Sequence, residues 1–133
     1  PKLGMMNSSM MLKHCSAFVD VYLNKTRLNP LIFLVGFVFG IFHRLYLKYI
    51  VRYNVKNYIK NLPTLKVFNT YRCKNLDFEF EKNKLINDLK EVESINNKYL
   101  LNNFHGIVSN EAFKKVVYFH TSYHLYQFDV YKT

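Results

Sequence analysis

The pattern of hydrophobic and polar positions is most distinctive between residues 30 and 62. Residues 31–42 carry no polar side chain, and basic and aromatic side chains follow them at short intervals. Asn29 and Pro30 suit the start of a helix, because an Asn side chain caps the first turn and Pro fits the first helical position. The next proline is Pro63. The pattern therefore predicts one continuous helix over residues 30–62.

This predicted helix is longer than a lipid bilayer is thick. About 33 residues span roughly 50 Å at about 1.5 Å per residue, whereas about 20 residues cross the hydrocarbon core. We therefore predict that its first two-thirds form a single transmembrane helix and that a basic helix extends it. A run of 12 apolar residues is also compatible with a buried helix of a soluble protein, which is the alternative.

Basic residues follow the apolar run at every fourth position. They alternate with tyrosines, and both residue types are enriched where a helix leaves a bilayer. The residues predicted to contact lipid head groups or an anionic partner are Arg44, Lys48, Arg52, Lys56 and Lys60. Because fewer basic residues precede the apolar run, the positive-inside rule predicts that the C-terminal part lies on the matrix side of a mitochondrial inner membrane.

Two glycines lie four residues apart within the apolar run. Gly36 and Gly40 form a Gly-x-x-x-Gly pattern, which permits a neighbouring helix to approach closely. We therefore predict that this face of the membrane helix packs against another element.

The region before the apolar run is predicted to be helical and small. Residues 5–23 place methionines and other apolar side chains near one side, as in an amphipathic helix. Residues 24–29 then form a turn. Residues 1–29 are thus expected to form an N-terminal amphipathic helix and turn, lying on a membrane interface or on a partner.

The region after it, residues 63–133, is predicted to be soluble, aromatic-rich and docked on partner subunits. A helix is expected from Asp77 to about Asn102, because apolar residues recur there at spacings of three and four. A short helix over 110–117 follows, and the aromatic tail 118–131 is compatible with strand or extended structure. The predicted fold is mainly α, with a single transmembrane helix, its basic extension and small helical or irregular soluble flanks.

Charge is concentrated in the first half of the chain. Residues 1–76 contain 12 basic residues and one acidic residue, a net charge of +11, whereas residues 77–133 contain 7 basic and 8 acidic residues, a net charge of −1. A strongly basic half favours an anionic partner such as phospholipid or nucleic acid. Residues with A/T-rich codons are abundant, including 12 Phe and 11 Tyr, and this bias favours an organelle genome.

The sequence contains no recognisable catalytic or metal-binding motif. Cys15 and Cys73 are far apart and the glycines are scattered, so neither a zinc finger nor a phosphate-binding loop is indicated. His120 and His124 are spaced to share one helix face, but a metal site needs three or four ligands and no third partner is evident. We therefore expect a protein that is not an enzyme, with no cofactor and no catalytic or metal-binding residues.

These observations favour a non-catalytic accessory subunit of a respiratory-chain complex in the mitochondrial inner membrane. Its expected partners are the other subunits of that complex and anionic phospholipids. An accessory subunit of ATP synthase and an independent small membrane scaffold are alternatives. A mitochondrial ribosomal protein that binds rRNA through the basic half is the main alternative of another class, although the apolar run suits it poorly.

Overall fold

The structure is a computed structural model that describes residues 6–60 and 64–132. Within these residues it is mainly helical, with 63% of the chain in helix and four α-helices. A π-helical segment, Tyr46–Val51, continues α2, and two 3-10 turns, Val55–Asn57 and Lys66–Phe68, lie in the connection that follows. The main elements in chain order are α1 (Ser8–Tyr22), α2 (Pro30–Leu45), α3 (Phe78–Ser94), β1 (Tyr99–Asn102), β2 (Gly106–Ser109) and α4 (Asn110–Gln127).

Helices α1, α3 and α4 enclose the main hydrophobic core. Val19 of α1 and Val92 of α3 are fully buried, as is Phe113 of α4, whose ring lies 4.8 Å from that of Tyr22. Each such side chain stabilises the fold by about 1.5–3 kcal/mol. Apolar residues of the segment after α2 extend the same core, so the described parts of the chain share one hydrophobic centre.

Strands β1 and β2 form an antiparallel hairpin in which Asn102 pairs with Gly106. The Asn102 side chain is fully buried and donates to the carbonyl of Tyr22 at 2.7 Å. Its oxygen accepts from the backbone N–H groups of Phe104 and His105 at 2.7 and 2.8 Å. One side chain thus satisfies the backbone of the hairpin turn and attaches that turn to the end of α1.

The hairpin turn packs against α2 at its two glycines. A Cβ atom added to Gly36 would lie 2.9 Å from the carbonyl oxygen of Phe104, and one added to Gly40 would lie 2.7 Å from the Cα of His105. The Gly-x-x-x-Gly pattern predicted packing of this face against another element, and in the described chain the element that lies there is the hairpin turn. Asn102 holds the backbone of this turn against α1 beside the two glycines.

The predicted helix over residues 30–62 ends early. It begins at Pro30, as expected, and is continuous only to Val51. Arg52 and Tyr53 then adopt left-handed conformations with φ of 55° and 52°, which no α-helix contains. The part of the predicted helix over residues 61–62 lies outside the described residues.

Two further boundaries also differ from those expected. Helix α3 starts after Asp77, as predicted, but it ends at Ser94, and residues 99–102 form β1 instead of continuing the helix. Helix α4 extends to Gln127, through residues 118–127 that were expected to be strand or extended. Its aromatic side chains are accommodated because several of them, including Phe119 and Tyr123, pack in the core.

Candidate functional site

The outer surface of α2 is a long exposed apolar feature of the described chain. Helix Pro30–Val51 is long and apolar enough to cross a membrane by length and composition, with a mean hydropathy of 1.8 and only 11% of the most apolar stretch buried. Phe39 and Phe42 are each 64% exposed, and Leu34 is 62% exposed. Exposed apolar patches of this kind mark membrane or partner surfaces. We call the exposed side of α2 the apolar face; it comprises Leu31, Leu34, Val35, Val38, Phe39, Ile41, Phe42 and Leu45.

The opposite side of α2 faces the protein. Gly40 is buried against the hairpin turn, and Leu47 and Val51 enter the core in the π-helical segment. Arg44 donates to the carbonyl of Ile107 in β2 at 3.2 Å. The helix therefore has one side fixed to the fold and one side free to meet another apolar environment.

The basic row does not form one helical stripe. Only Arg44 and Lys48 lie on the continuous helix, and Arg44 is engaged with β2. Arg52, Lys56 and Lys60 are exposed but lie beyond the point where the helix ends. The prediction of a basic helix is therefore wrong, because the backbone turns at Arg52; the basic residues still follow the apolar helix along the chain.

A second feature is an apolar cavity of about 350 Å³ lined by side chains from distant parts of the sequence. Four of the five histidines line it, together with tyrosines and other aromatic residues. Three of these histidines form the histidine trio, defined here as His14, His120 and His124. His14 comes from α1, and the other two lie one turn apart on α4.

The trio converges closely. One ring nitrogen from each residue lies within 4.8 Å of those of the other two. The ring centroids are separated by 5.1 Å for His14 and His120, 4.6 Å for His14 and His124, and 4.7 Å for His120 and His124. The spacing of His120 and His124 in the sequence indicated two possible ligands. The fold adds His14 from the other end of the chain, and no local sequence pattern could reveal this third residue.

Hydrogen bonds determine where the protons of two of these rings lie. His14 Nδ1 is 2.7 Å from the carbonyl oxygen of Phe68, which can only accept, so Nδ1 carries the hydrogen and Nε2 has a free lone pair. His124 Nδ1 is 2.8 Å from the side-chain oxygen of Gln127, whose amide nitrogen donates to Tyr123 at 3.1 Å. His124 therefore also presents a bare Nε2.

The third ring, His120, is held by stacking. It lies parallel to Phe18 with centroids 3.9 Å apart, and its Nδ1 atom is buried with no hydrogen-bond partner in the described structure. Burial lowers the pKa of His14, lowers that of His120 well below its ordinary value and lowers that of His124 to about 3. All three rings are therefore neutral at pH 7.

The other two histidines belong to a separate buried chain of hydrogen bonds. Tyr22 bonds His105 Nδ1, His105 Nε2 lies 2.9 Å from His43 Nδ1, and His43 Nε2 lies 3.5 Å from the Tyr58 hydroxyl. Burial lowers the pKa of His105 well below its ordinary value and raises that of Tyr22. This chain satisfies polar groups where α1, α2 and the hairpin turn meet.

Comparison of the chain with known protein families, curated proteins and solved structures gave no match. Its function is therefore inferred from its own sequence and structure.

Proposed function

We propose that the protein is a non-catalytic accessory subunit of a respiratory-chain complex in the mitochondrial inner membrane. The observation that carries this proposal is the apolar face of α2. A helix of 22 residues, Pro30–Val51, is about 33 Å long at about 1.5 Å per residue, which matches the hydrocarbon core of a bilayer. Lipid chains and the hydrophobic core subunits of such a complex are its expected surroundings.

The hairpin turn is compatible with such surroundings. Irregular backbone is tolerated at membrane depth only where its polar groups are satisfied and covered by protein. The N–H groups of Phe104 and His105 bond to Asn102, and the turn lies directly against Gly36 and Gly40. The turn can therefore accompany α2 into an apolar region without exposing unsatisfied amides.

The position of the exposed basic residues supports the expected orientation, in which the C-terminal part of the chain lies on the matrix side of the membrane. Arg52, Lys56 and Lys60 directly follow the helix and are solvent-exposed, where each adds about 1 kcal/mol of attraction to an anionic lipid surface. The same exposed charges are the specific observation in favour of the second candidate, a mitochondrial ribosomal protein that contacts rRNA phosphates. The apolar face favours the first candidate, since rRNA offers it no comparable apolar surface.

Alkaline carbonate extraction of mitochondria separates the two. An integral subunit stays in the membrane pellet, whereas a ribosomal protein is released or sediments with ribosomes. Native electrophoresis of mild-detergent extracts, followed by mass spectrometry of the band that contains the chain, then identifies the complex. Co-migration with respiratory-chain subunits supports the proposal, co-migration with ATP synthase supports that alternative, and migration alone supports a small scaffold.

A further inference from the structure

The three rings of the histidine trio lie close enough together to share one metal ion. We propose that His14, His120 and His124 bind one divalent transition-metal ion, with zinc as the preferred ion, through one nitrogen of each ring. This inference is independent of membrane attachment, because it rests on α1 and α4 and not on the apolar face.

The spacing of the rings fits a shared ion. With Zn–N bonds of about 2.0 Å, an imidazole centroid lies about 3.2 Å from the metal, so two ligand rings at a tetrahedral centre lie about 5 Å apart. The observed centroid separations are 4.6, 4.7 and 5.1 Å. Tetrahedral ligand nitrogens are about 3.3 Å apart, so nitrogens that lie within 4.8 Å of one another must approach by up to about 1.5 Å when the ion binds.

The partners of the rings are those that support metal ligation. Histidine ligands usually donate their second N–H to a backbone carbonyl, a carboxylate or another acceptor, which orients the ring and raises its basicity. His14 does so to Phe68 and His124 does so to Gln127. His120 gives a second, independent indication of a missing ligand. Its buried Nδ1 has no hydrogen-bond partner in the described structure, and buried polar atoms without a partner are rare in folded proteins.

The surroundings define the type of site. Three protein ligands leave one position of a tetrahedral ion open, as in zinc sites that bind water or a small ligand. Here the trio lines the 350 Å³ cavity, and the lining residues that the structure describes include no acidic or basic side chain other than histidine. A hydroxide or a small anion at the open position would therefore balance part of the ion's charge.

The choice of zinc follows from the ligand set. Neutral imidazole suits zinc and copper, whereas calcium and magnesium require oxygen ligands. Cys15 is fully buried on α1 and its thiol contacts the sulfur of Met11 at 3.8 Å, so it belongs to the core packing. Zinc is also the ion for which three imidazoles in a tetrahedral arrangement are common.

The first experiment uses the full chain in mild detergent, purified without a polyhistidine tag and carrying Cys73→Ser to remove the less buried thiol. Titration with Zn²⁺ alone should give one bound ion per chain. X-ray absorption of the zinc-loaded protein should show three imidazole ligands and one oxygen ligand. A spectrum with oxygen ligands only, or with sulfur, would overturn the proposal without depending on any variant of the trio.

The second experiment replaces one ligand with a ring that cannot ligate. His120→Phe keeps an aromatic ring to stack on Phe18 and removes the unpartnered nitrogen, so without metal the variant should melt at the same or a higher temperature than the parent. Its zinc affinity should fall at least about 100-fold, since even an outer partner is worth about 10–100-fold. Unchanged zinc affinity in the folded variant would contradict the site.

Two further variants locate the ion. His43→Gln is the matched control, because His43 lines the same cavity but bonds to His105 instead of joining the trio; it should retain zinc affinity within about threefold. Gln127→Leu removes the acceptor of His124 and should weaken binding about 10-fold. Equal loss in His43→Gln and His120→Phe would place the ion elsewhere and refute the assignment to the trio.

Discussion

The contact between Gly40 and the hairpin turn gives the sharpest test of how α2 is attached to the fold. An added Cβ at Gly40 would lie 2.7 Å from the Cα of His105, 2.8 Å from the carbonyl oxygen of Phe104 and 2.9 Å from the His105 ring. Because two of these atoms are backbone, the turn itself must move by about 1 Å to accept Gly40→Ala. Overpacking of this kind costs about 1–3 kcal/mol.

Helix propensity acts in the opposite direction. Replacing Gly with Ala inside a helix gains about 0.8–1 kcal/mol, so Gly40→Ala should lower the free energy of unfolding by roughly 1–2 kcal/mol. Gly36→Ala meets one close atom, the carbonyl oxygen of Phe104 at 2.9 Å, with the next at 3.5 Å. At Gly36 the cost of overpacking and the gain in helix propensity should nearly cancel, so Gly36→Ala should change the free energy of unfolding by less than about 1 kcal/mol.

The assay is chemical denaturation in mild detergent, followed by far-ultraviolet circular dichroism because the chain contains no Trp. Val38→Ala, on the exposed side of the same helix at 49% exposure, is the control and should change stability by less than about 0.5 kcal/mol. If Gly40→Ala proves neutral or stabilising, the turn does not lie against this glycine and the attachment of α2 to the hairpin is wrong.

Three other results are expected. Asn102→Ala should lower stability by about 2–3 kcal/mol in the same denaturation assay, because it leaves the buried amides of the hairpin turn without their acceptor. Stability should fall as the pH is lowered from 7 to 5 with chelator present, because burial holds the folded pKa of His105 and of the three trio histidines below the ordinary value of 6.5. The unfolded state therefore takes up these protons first, with a slope of up to about 1.4 kcal/mol per pH unit for each such histidine. Replacement of the three exposed basic residues after α2 with Gln should lower the preference of the chain for anionic over neutral vesicles by about 100-fold, at about 1 kcal/mol per charge. These residues are Arg52, Lys56 and Lys60.

Two of these results have a matched control variant, and the pH profile has a contrary outcome of its own. Asn97→Ala, at an exposed position before β1, should leave stability nearly unchanged; a similar loss there would dismiss a special role for Asn102. A flat stability profile between pH 7 and 5 would contradict a neutral buried His105. Triple neutralisation of the exposed Lys90, Lys98 and Lys132 should lower the preference for anionic vesicles much less than replacement of the three residues after α2. An equal reduction would mean that net charge alone governs this preference.

Local signals in the sequence were sufficient to predict where α2 and α3 begin. Asn29 caps α2 with its side chain 2.9 Å from the N–H of Leu31, and Asp77 caps α3 by accepting from Phe80 at 2.6 Å. Each cap joins residues two or three positions apart, so it can be recognised from the local sequence. The apolar run of α2 can be recognised in the same way, because it consists of adjacent residues.

Helix ends and the cavity depend on contacts that the sequence does not display. Arg52 and Tyr53 adopt left-handed conformations although neither is glycine, so no residue type indicated the end of the helix. The trio depends on α1 and α4 packing together, which brings His14 beside residues from the far end of the chain. Long-range packing of this kind also turns the aromatic tail into helix, against its β-forming composition.

A fluorescent reporter on α2 distinguishes a lipid environment of the apolar face from an aqueous one. A polarity-sensitive label is attached at Phe39→Cys in a Cys73→Ser background, with the purified chain reconstituted in vesicles; Asn87→Cys, on the exposed side of α3, serves as the control. We expect lipids with a quencher in their acyl chains to quench the label at position 39, and aqueous iodide to leave it unquenched, with the reverse at position 87. Quenching of the label at position 39 by iodide, with no effect of the lipid quencher, would contradict a lipid environment for the apolar face.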